Sequence, residues 1–361
     1  MKIATMVTGC ITTPQPFGLT YAPIDIAVAV CEGLQALGHK VDYYGPVGSH
    51  LGVPVVTGGL EPFPKNENGQ YVYPNAPGQE EKLCGIWDEF FIAEMLRRAN
   101  NGEYDVLLIH PIDRGIIMGR ILPNVQIIYT LHDPITPWRA DIYRRFLTPN
   151  QHLVSITDAQ RNPAPDLPYL ATVYNGIDVE MFAFNETPGD YVMFASRMVE
   201  EKNPSGAIKA AQLAEVPINL FGEILQGDST IYFNEVIKPQ LNDSVKYCGF
   251  VSRDELVREY GGAKALLAPI TWEEPFGLVF TEAMACGTPV IAFRRGSVPE
   301  LIVDGVTGFI VDTIEEMAEA IKKIDTIDRK ACREHVLNKF SNQSMINGYN
   351  EALSKLITDK Q

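Results

Sequence analysis

The strongest constraint in this sequence is a grammar that runs twice. Short apolar segments bounded by turn residues alternate with stretches whose apolar residues recur at helical spacing. In the first half the strand-like segments are 2–8, 41–44, 105–110, 125–130, 152–156 and 172–174. Ile24, Ala27, Val28, Cys31, Leu34 and Leu37 mark the face of a helix that Gly38 stops. Leu83, Ile86, Trp87, Phe90, Phe91 and Met95 mark the core-facing stripe of another. A turn at 175–178 leads out, and the grammar restarts at 191–195, followed by 218–221, 245–248, 265–268, 289–293 and 308–311. Continuously apolar strands between helices require a parallel sheet covered on both faces. The expectation is an α/β chain of two doubly wound halves facing one another. In such sheets ligands collect beyond the carboxyl ends of the strands, which places the site in the cleft between halves. The pattern is lost from 45 to 81, an excursion of unpredicted shape.

One stretch, 272–300, concentrates the features that carry chemistry. Glu274 and Glu282 bracket the turn Pro275-Phe276-Gly277, and an apolar helical pattern starts near Leu278 and stops at Gly287. The start of that helix presents unpaired N–H groups and the positive end of its dipole, an anion site. One carboxylate ahead of that site and one a turn inside it suit a ligand carrying hydroxyls on both sides of a phosphate. Further back, Arg197 and Lys202 follow the first strand of the second half. Taken alone they are ordinary surface cations; beside an anion site they can hold a diphosphate and neutralise it as it leaves. His132 begins a loop at the carboxyl end of a buried strand, with Asp133 after it as a loop cap, whereas His110, also ending a strand, reads as structural.

Composition removes several classes. The chain has 361 residues, about two domains' worth, and a net charge of −15. Both halves, divided after Gly176, are acidic, which argues against nucleic acid and anionic membranes as partners. Arg139, Arg144 and Arg145 form the compact basic cluster of the first half and read as a solvated helix face. The cysteines Cys10, Cys31, Cys84, Cys248, Cys286 and Cys332 are scattered without Cys-x-x-Cys spacing, so they are expected reduced and buried in a cytoplasmic protein. No membrane span or signal-peptide pattern is visible. There is no Asp-x-Asp run or His/carboxylate cluster for a metal, and no Gly-x-Gly-x-x-Gly for a dinucleotide. Oligomeric state is open.

The stretch 272–300 closely resembles the Glu-x7-Glu motif of retaining glycosyltransferases of family 4, and weaker likenesses extend over nearly the whole chain. The resemblance implies the GT-B fold: two Rossmann-like parallel-sheet domains facing a cleft, with a last helix (Met345, Ile346, Tyr349, Leu353, Leu356) crossing back to the first. It divides the chain into an acceptor-side domain 1–176, a nucleotide-sugar-binding domain 177–340 and the helix 341–361. It implies that Glu282 holds ribose hydroxyls, that Glu274 holds sugar hydroxyls, and that the backbone of Phe276, Gly277 and Leu278 meets sugar or phosphate. Arg197 and Lys202 take the diphosphate, His132 meets the donor sugar, and Phe250 or Val251 touches the base. The passages 155–161 and 300–308 also resemble the family. Ser196 stands where members usually carry Gly, and the loop 17–24 has the single Gly18 where many have a Gly pair; Tyr21 to Pro23 are left for the acceptor side.

The expected activity is metal-independent, retaining transfer of a sugar from a nucleotide-diphosphate donor to a hydroxyl of a soluble acceptor. The retention is implied by the resemblance alone. UDP is the preferred nucleotide, with GDP and ADP as alternatives. Two other readings stay open: a nucleotide-sugar 2-epimerase, which needs no acceptor, and a non-catalytic nucleotide-sugar sensor, which releases no free nucleotide diphosphate.

Overall fold

The computed structural model describes residues 1–15, 21–64 and 79–358. Contacts divide the chain into two units. The first holds 1–156, 160–176 and the chain from Asn342 onward, and the second holds 177–341 together with Thr157, Asp158 and Ala159. Gly18 and much of the excursion 45–81 lie outside the described residues.

Among the described residues, the first unit is built on seven strands: β1 (Lys2–Met6), β2 (Lys40–Tyr44), β3 (Val55–Val56), β4 (Val106–Ile109), β5 (Gln126–Thr130), β6 (Gln151–Ser155) and β7 (Tyr169–Thr172). Their order is β3-β2-β1-β4-β5-β6-β7, every neighbour parallel. β4 is buried at every position, as its apolar run required. The edge strand β3 comes from within the excursion, where two valines among glycines and prolines are too short a signal to read. β7 falls three residues before its expected start.

The helix Glu80–Asn100 buries a different face from the expected one. Phe91 and Met95 are in the core with Ile92 and Leu96, but Ile86 and Phe90 are exposed. The buried line instead includes Gly85 and Asp88, the latter accepting from the Gly9 N–H at 2.7 Å. A polar residue on the inner face hid the true stripe. Cys84 lies on the same helix and is disulfide-bonded to Cys10 just beyond β1, 74 residues away in sequence. This corrects the expectation of reduced cysteines: widely spaced in sequence, the two meet because the helix packs across the end of β1. Cys31, Cys286 and Cys332 are free and buried, while Cys248 is free and exposed.

The last helix, Asn342–Thr358, belongs to the first unit. It packs on the helix Ala22–Ala36, where a side chain at Gly33 would collide with Ile346. Met345, Tyr349, Leu353 and Leu356 are buried, and the Tyr349 hydroxyl is 2.8 Å from Thr130 Oγ1 at the end of β5.

The second unit carries β8 (Val192–Ala195), β9 (Ile218–Phe221), β10 (Val245–Gly249), β11 (Leu266–Ala268), β12 (Val290–Phe293) and β13 (Gly308–Val311). They form a parallel sheet in the order β10-β9-β8-β11-β12-β13. Buried Arg329 ties its helices to loops, donating to the carbonyls of Asn185, Ala263 and Gly261 and to Thr288 Oγ1 at 2.7–3.0 Å. Among the described residues, no helix is long and apolar enough to cross a membrane.

Candidate functional site

In the second unit the site is assembled at the carboxyl ends of β8 and β11. A helix spans Leu278–Ala285, and Gly277 precedes it in the left-handed region, φ 88°. Gly287 ends it at φ 88°. Phe276 is buried and packs edge-on to Phe340, so its backbone rather than its ring is available to a ligand.

Glu274 and Lys202 meet directly as an ion pair, with side-chain exposures of 12% and 11%. Trp272 touches both. Its indole N–H donates to Glu274 Oε2 at 3.0 Å, and Lys202 Nζ lies 4.5 Å from its ring centroid. Lys202 and Glu274 line a small recess shared with Ala195, Ser196, Ile270 and Val279. In this geometry the ammonium is neutralised by the carboxylate and also attracted by the aromatic face. Arg197 stands apart, half exposed, with Glu201 at 3.5 Å. Phe250 is exposed and Val251 partly so, both just after β10.

Glu282 accepts a hydrogen bond from the Tyr260 hydroxyl at 3.0 Å. Burial first, and then the Glu282 charge, push the Tyr260 phenol well above its ordinary pKa, so it remains a donor. Tyr260 was not identifiable from sequence, because it looks like any aromatic on the helix Arg253–Gly262.

The loop 273–276 is held from behind by 295–297. Gly296 N–H donates to Glu273 at 2.7 Å, Ser297 N–H to the Glu274 carbonyl at 2.9 Å, and Ser297 Oγ to the Phe276 carbonyl at 2.5 Å. Gly296 has φ 48°, and a Cβ there would lie 2.3 Å from the Glu274 carbonyl oxygen. Thr157 Oγ1 donates to the Pro275 carbonyl at 2.9 Å. Glu300 accepts the N–H groups of Asp158 and Ala159 at 2.8 and 2.6 Å, which gives that carboxylate a structural task.

In the first unit, His132 follows β5 and is partly exposed. Its loop is pinned by Gln160, whose amide donates to the carbonyls of Leu131 and Asp133 at 3.2 and 2.9 Å. His132 Nε2 is 2.6 Å from Nδ1 of buried His110. Burial lowers the His132 pKa to about 4, opposed by Asp133, and lowers His110 well below its ordinary value. Arg139 bridges Asp133 at 3.1 Å and Asp113 at 3.4 Å, and Arg144 makes two bonds to Asp166 at 2.7 and 2.8 Å. Arg139 and Arg144, expected on a solvated face, thus pair with carboxylates of neighbouring segments.

A larger recess of about 280 Å³, lined by Asp190, Tyr191, Pro217 and Lys246, opens at the opposite, amino-terminal ends of the second sheet. It is far from the carboxyl ends where parallel sheets bind ligands.

The chain is 34% identical over 165 residues to an uncharacterized 41.2 kDa protein in the cps region of Klebsiella pneumoniae, covering 44% of each chain. It is 30% identical over 203 residues to the D-inositol 3-phosphate glycosyltransferase of Mycolicibacterium smegmatis, covering 50% of this chain and 43% of that one. It therefore spans under half the length of these curated relatives. Among solved structures, a sucrose-phosphate synthase from Thermosynechococcus elongatus superposes with a TM-score of 0.74 at 18% identity, covering 99% of this chain and 100% of that one. Anabaena HepE in complex with UDP and glucose gives 0.70 at 20%, covering 98% and 100%. Likeness of this extent shows the fold, the two Rossmann-like domains of GT-B glycosyltransferases. The family model described as glycosyl transferases group 1 matches residues 178–336, the sheet that carries Arg197, Lys202, Glu274 and Glu282, and this part of the chain is a glycosyltransferase group 1 domain.

Proposed function

We propose that this chain is a retaining, metal-independent glycosyltransferase of family 4 that moves a sugar from a UDP-sugar to a hydroxyl of a soluble acceptor. The observation that carries the reading is the Lys202–Glu274 pair beneath Trp272, next to the Gly277 entry of the helix Leu278–Ala285. A cation, a carboxylate and a helix N-terminus within one loop system can hold a diphosphate and a sugar hydroxyl together. Lys202 and Arg197 supply the counter-charge that a metal supplies elsewhere, each charged hydrogen bond contributing about 1.5–3 kcal/mol. Glu282, oriented by Tyr260, holds the ribose hydroxyls, and Phe250 or Val251 meets the base.

Glu274 is committed to Lys202 and Trp272, so we assign it to binding rather than nucleophilic attack. Transfer then proceeds on the donor's front face: the acceptor hydroxyl attacks as the diphosphate departs, and the departing phosphate oxygen takes the acceptor proton. His132 meets the transferred sugar. UDP is favoured over GDP and ADP because the HepE neighbour holds UDP and glucose.

The test is calorimetric titration with UDP, GDP and ADP, each with and without EDTA. Tight binding of UDP unaffected by EDTA is the expected result. Binding of no nucleotide, or binding that needs a divalent ion, would remove the reading.

A further inference from the structure

Two imidazoles meet at the carboxyl ends of β4 and β5, and their geometry determines what His132 can do. The rings of His110 and His132 are nearly parallel, 10° apart, with centroids 4.9 Å apart. They are not stacked face to face, because His110 Nδ1 and His132 Nε2 are only 2.6 Å apart. The centroid distance is close to that separation extended by one ring radius on each side. The rings therefore lie edge to edge in nearly one plane, sharing one proton in a short N–H···N hydrogen bond.

Two arrangements satisfy that bond. In one, His132 donates from Nε2, and neutral His110 must carry its own proton on Nε2. In the other, His110 donates from Nδ1, and neutral His132 carries its proton on Nδ1. The remaining nitrogen of His110 decides between them. His110 is 6% exposed, and among the described residues its Nε2 is buried with no hydrogen-bond partner. A proton there would be a buried orphan donor, and buried orphan N–H groups are rarer than under-satisfied acceptors. The arrangement that leaves a bare lone pair on His110 Nε2 wins.

We propose that His110 is a positioning residue that locks neutral His132 as its Nδ1–H tautomer, making His132 a hydrogen-bond donor, not a general base, toward a hydroxyl or ring oxygen of the transferred sugar. The assignment of the sugar rests on the function proposed above; the tautomer does not. Neutrality of the pair agrees with burial at both rings. The charged groups facing it are Asp133, which favours protonation of His132, and Arg139, which pairs with Asp133 at 3.1 Å. A donor at this position suits a reaction in which the leaving diphosphate takes the acceptor proton, because no base is then required of His132.

The experiment is nitrogen-15 NMR of the imidazoles in the intact chain at pH 7, for the wild type, His110→Asn and His110→Phe. Asn places an amide N–H where His110 Nδ1 stood, whereas Phe keeps a ring of similar size without a donor. The wild type and His110→Asn should show His132 protonated on Nδ1 and neutral down to pH 5.5. His110→Phe should lose that tautomer. With UDP-sugar turnover as a second readout, His110→Asn should stay within about threefold of wild type and His110→Phe should fall at least tenfold in kcat. Protonation of His132 on Nε2 in the wild type, or an unchanged tautomer in His110→Phe, overturns the proposal. If the chain turns over no nucleotide sugar while the tautomer result stands, the functional reading has failed and the positioning role has not.

Discussion

Glu274→Gln is the most informative single change. In the free chain Lys202 is satisfied by Glu274 and by the Trp272 ring, and both charged side chains are close to nine-tenths buried. A diphosphate that takes Lys202 must either displace the carboxylate or bind beside it, and each alternative sets a negative charge against the ligand. Glutamine keeps an oxygen that accepts from Trp272 Nε1, now 3.0 Å away, and from Lys202, but removes the charge. Hydrogen bonds to charged groups contribute about 1.5–3 kcal/mol, and exchanging the carboxylate for an amide moves the Lys202 bond from the upper toward the lower end of that range, so the competition relieved is about 1.5 kcal/mol. UDP should therefore bind about tenfold tighter to the variant, since about 1.4 kcal/mol corresponds to tenfold in Kd. On the proposed function turnover should move the other way, falling at least tenfold, because the sugar would lose its carboxylate contact. Losing one partner of a buried pair costs stability, up to about 3–5 kcal/mol and less where glutamine retains the bond, so a urea melt must accompany the titration. Calorimetry with UDP on both proteins is the assay. Unchanged or weaker UDP binding by a folded Glu274→Gln protein would refute the idea that Lys202 is the shared cation.

Two further outcomes follow from the same structure. Gly296→Ala places a Cβ against the Glu274 backbone at 2.3 Å and at φ 48°, so it should cost at least about 1–3 kcal/mol in urea unfolding and weaken UDP binding. Gly305→Ala is the control, because φ is 73° there but nothing lies within 4 Å; equal effects of the two on UDP binding would rule out the supporting role of Gly296. Asp88 is buried, and desolvation raises its pKa from 3.8 to about 7 despite the Gly9 N–H bond. A raised folded-state pKa favours folding at low pH, and that contribution is lost as pH rises through about 7. Asp88→Asn keeps an acceptor for Gly9 and should be more stable than wild type by about 1–3 kcal/mol at pH 8, with the gap closing toward pH 4. Denaturant melts across that range check it, and a gap independent of pH would show that the Asp88 charge is not what differs.

Local signals in the sequence carried the two sheets, because a buried parallel strand must be apolar on both faces and so reads as a continuous run. Ile218–Phe221 and Gly308–Val311 match their expected limits for that reason. The Leu278–Ala285 helix was legible for a different one: Gly277 and Gly287 mark backbone conformations that other residues adopt at a cost. What depended on distant partners was not legible. The Glu80–Asn100 face turned because Asp88 faces inward to bind Gly9, and Cys84 met Cys10 across 74 residues.

The same division runs through the candidate site. Residue types at local spacing made Glu274 and Glu282 candidates and the family resemblance added Lys202 and His132, while the residues that contact them escaped notice. Tyr260 on Glu282, Trp272 on the Lys202–Glu274 pair, Gln160 behind His132 and Gly296 behind Glu274 all act through contacts that no spacing rule encodes. Their chemistry is generic: a phenol, an indole, an amide and a missing Cβ. Tyr260 and Gln160 are buried, where an oriented hydrogen bond is stronger than in water and a misplaced one costs more. A carboxylate that binds sugar hydroxyls must be held still before the ligand arrives, or the ligand's binding energy goes into ordering it. Such residues should therefore alter affinity and turnover without touching the ligand. Tyr260→Phe would separate orientation of Glu282 from its charge, since it removes only the hydroxyl that donates to that carboxylate.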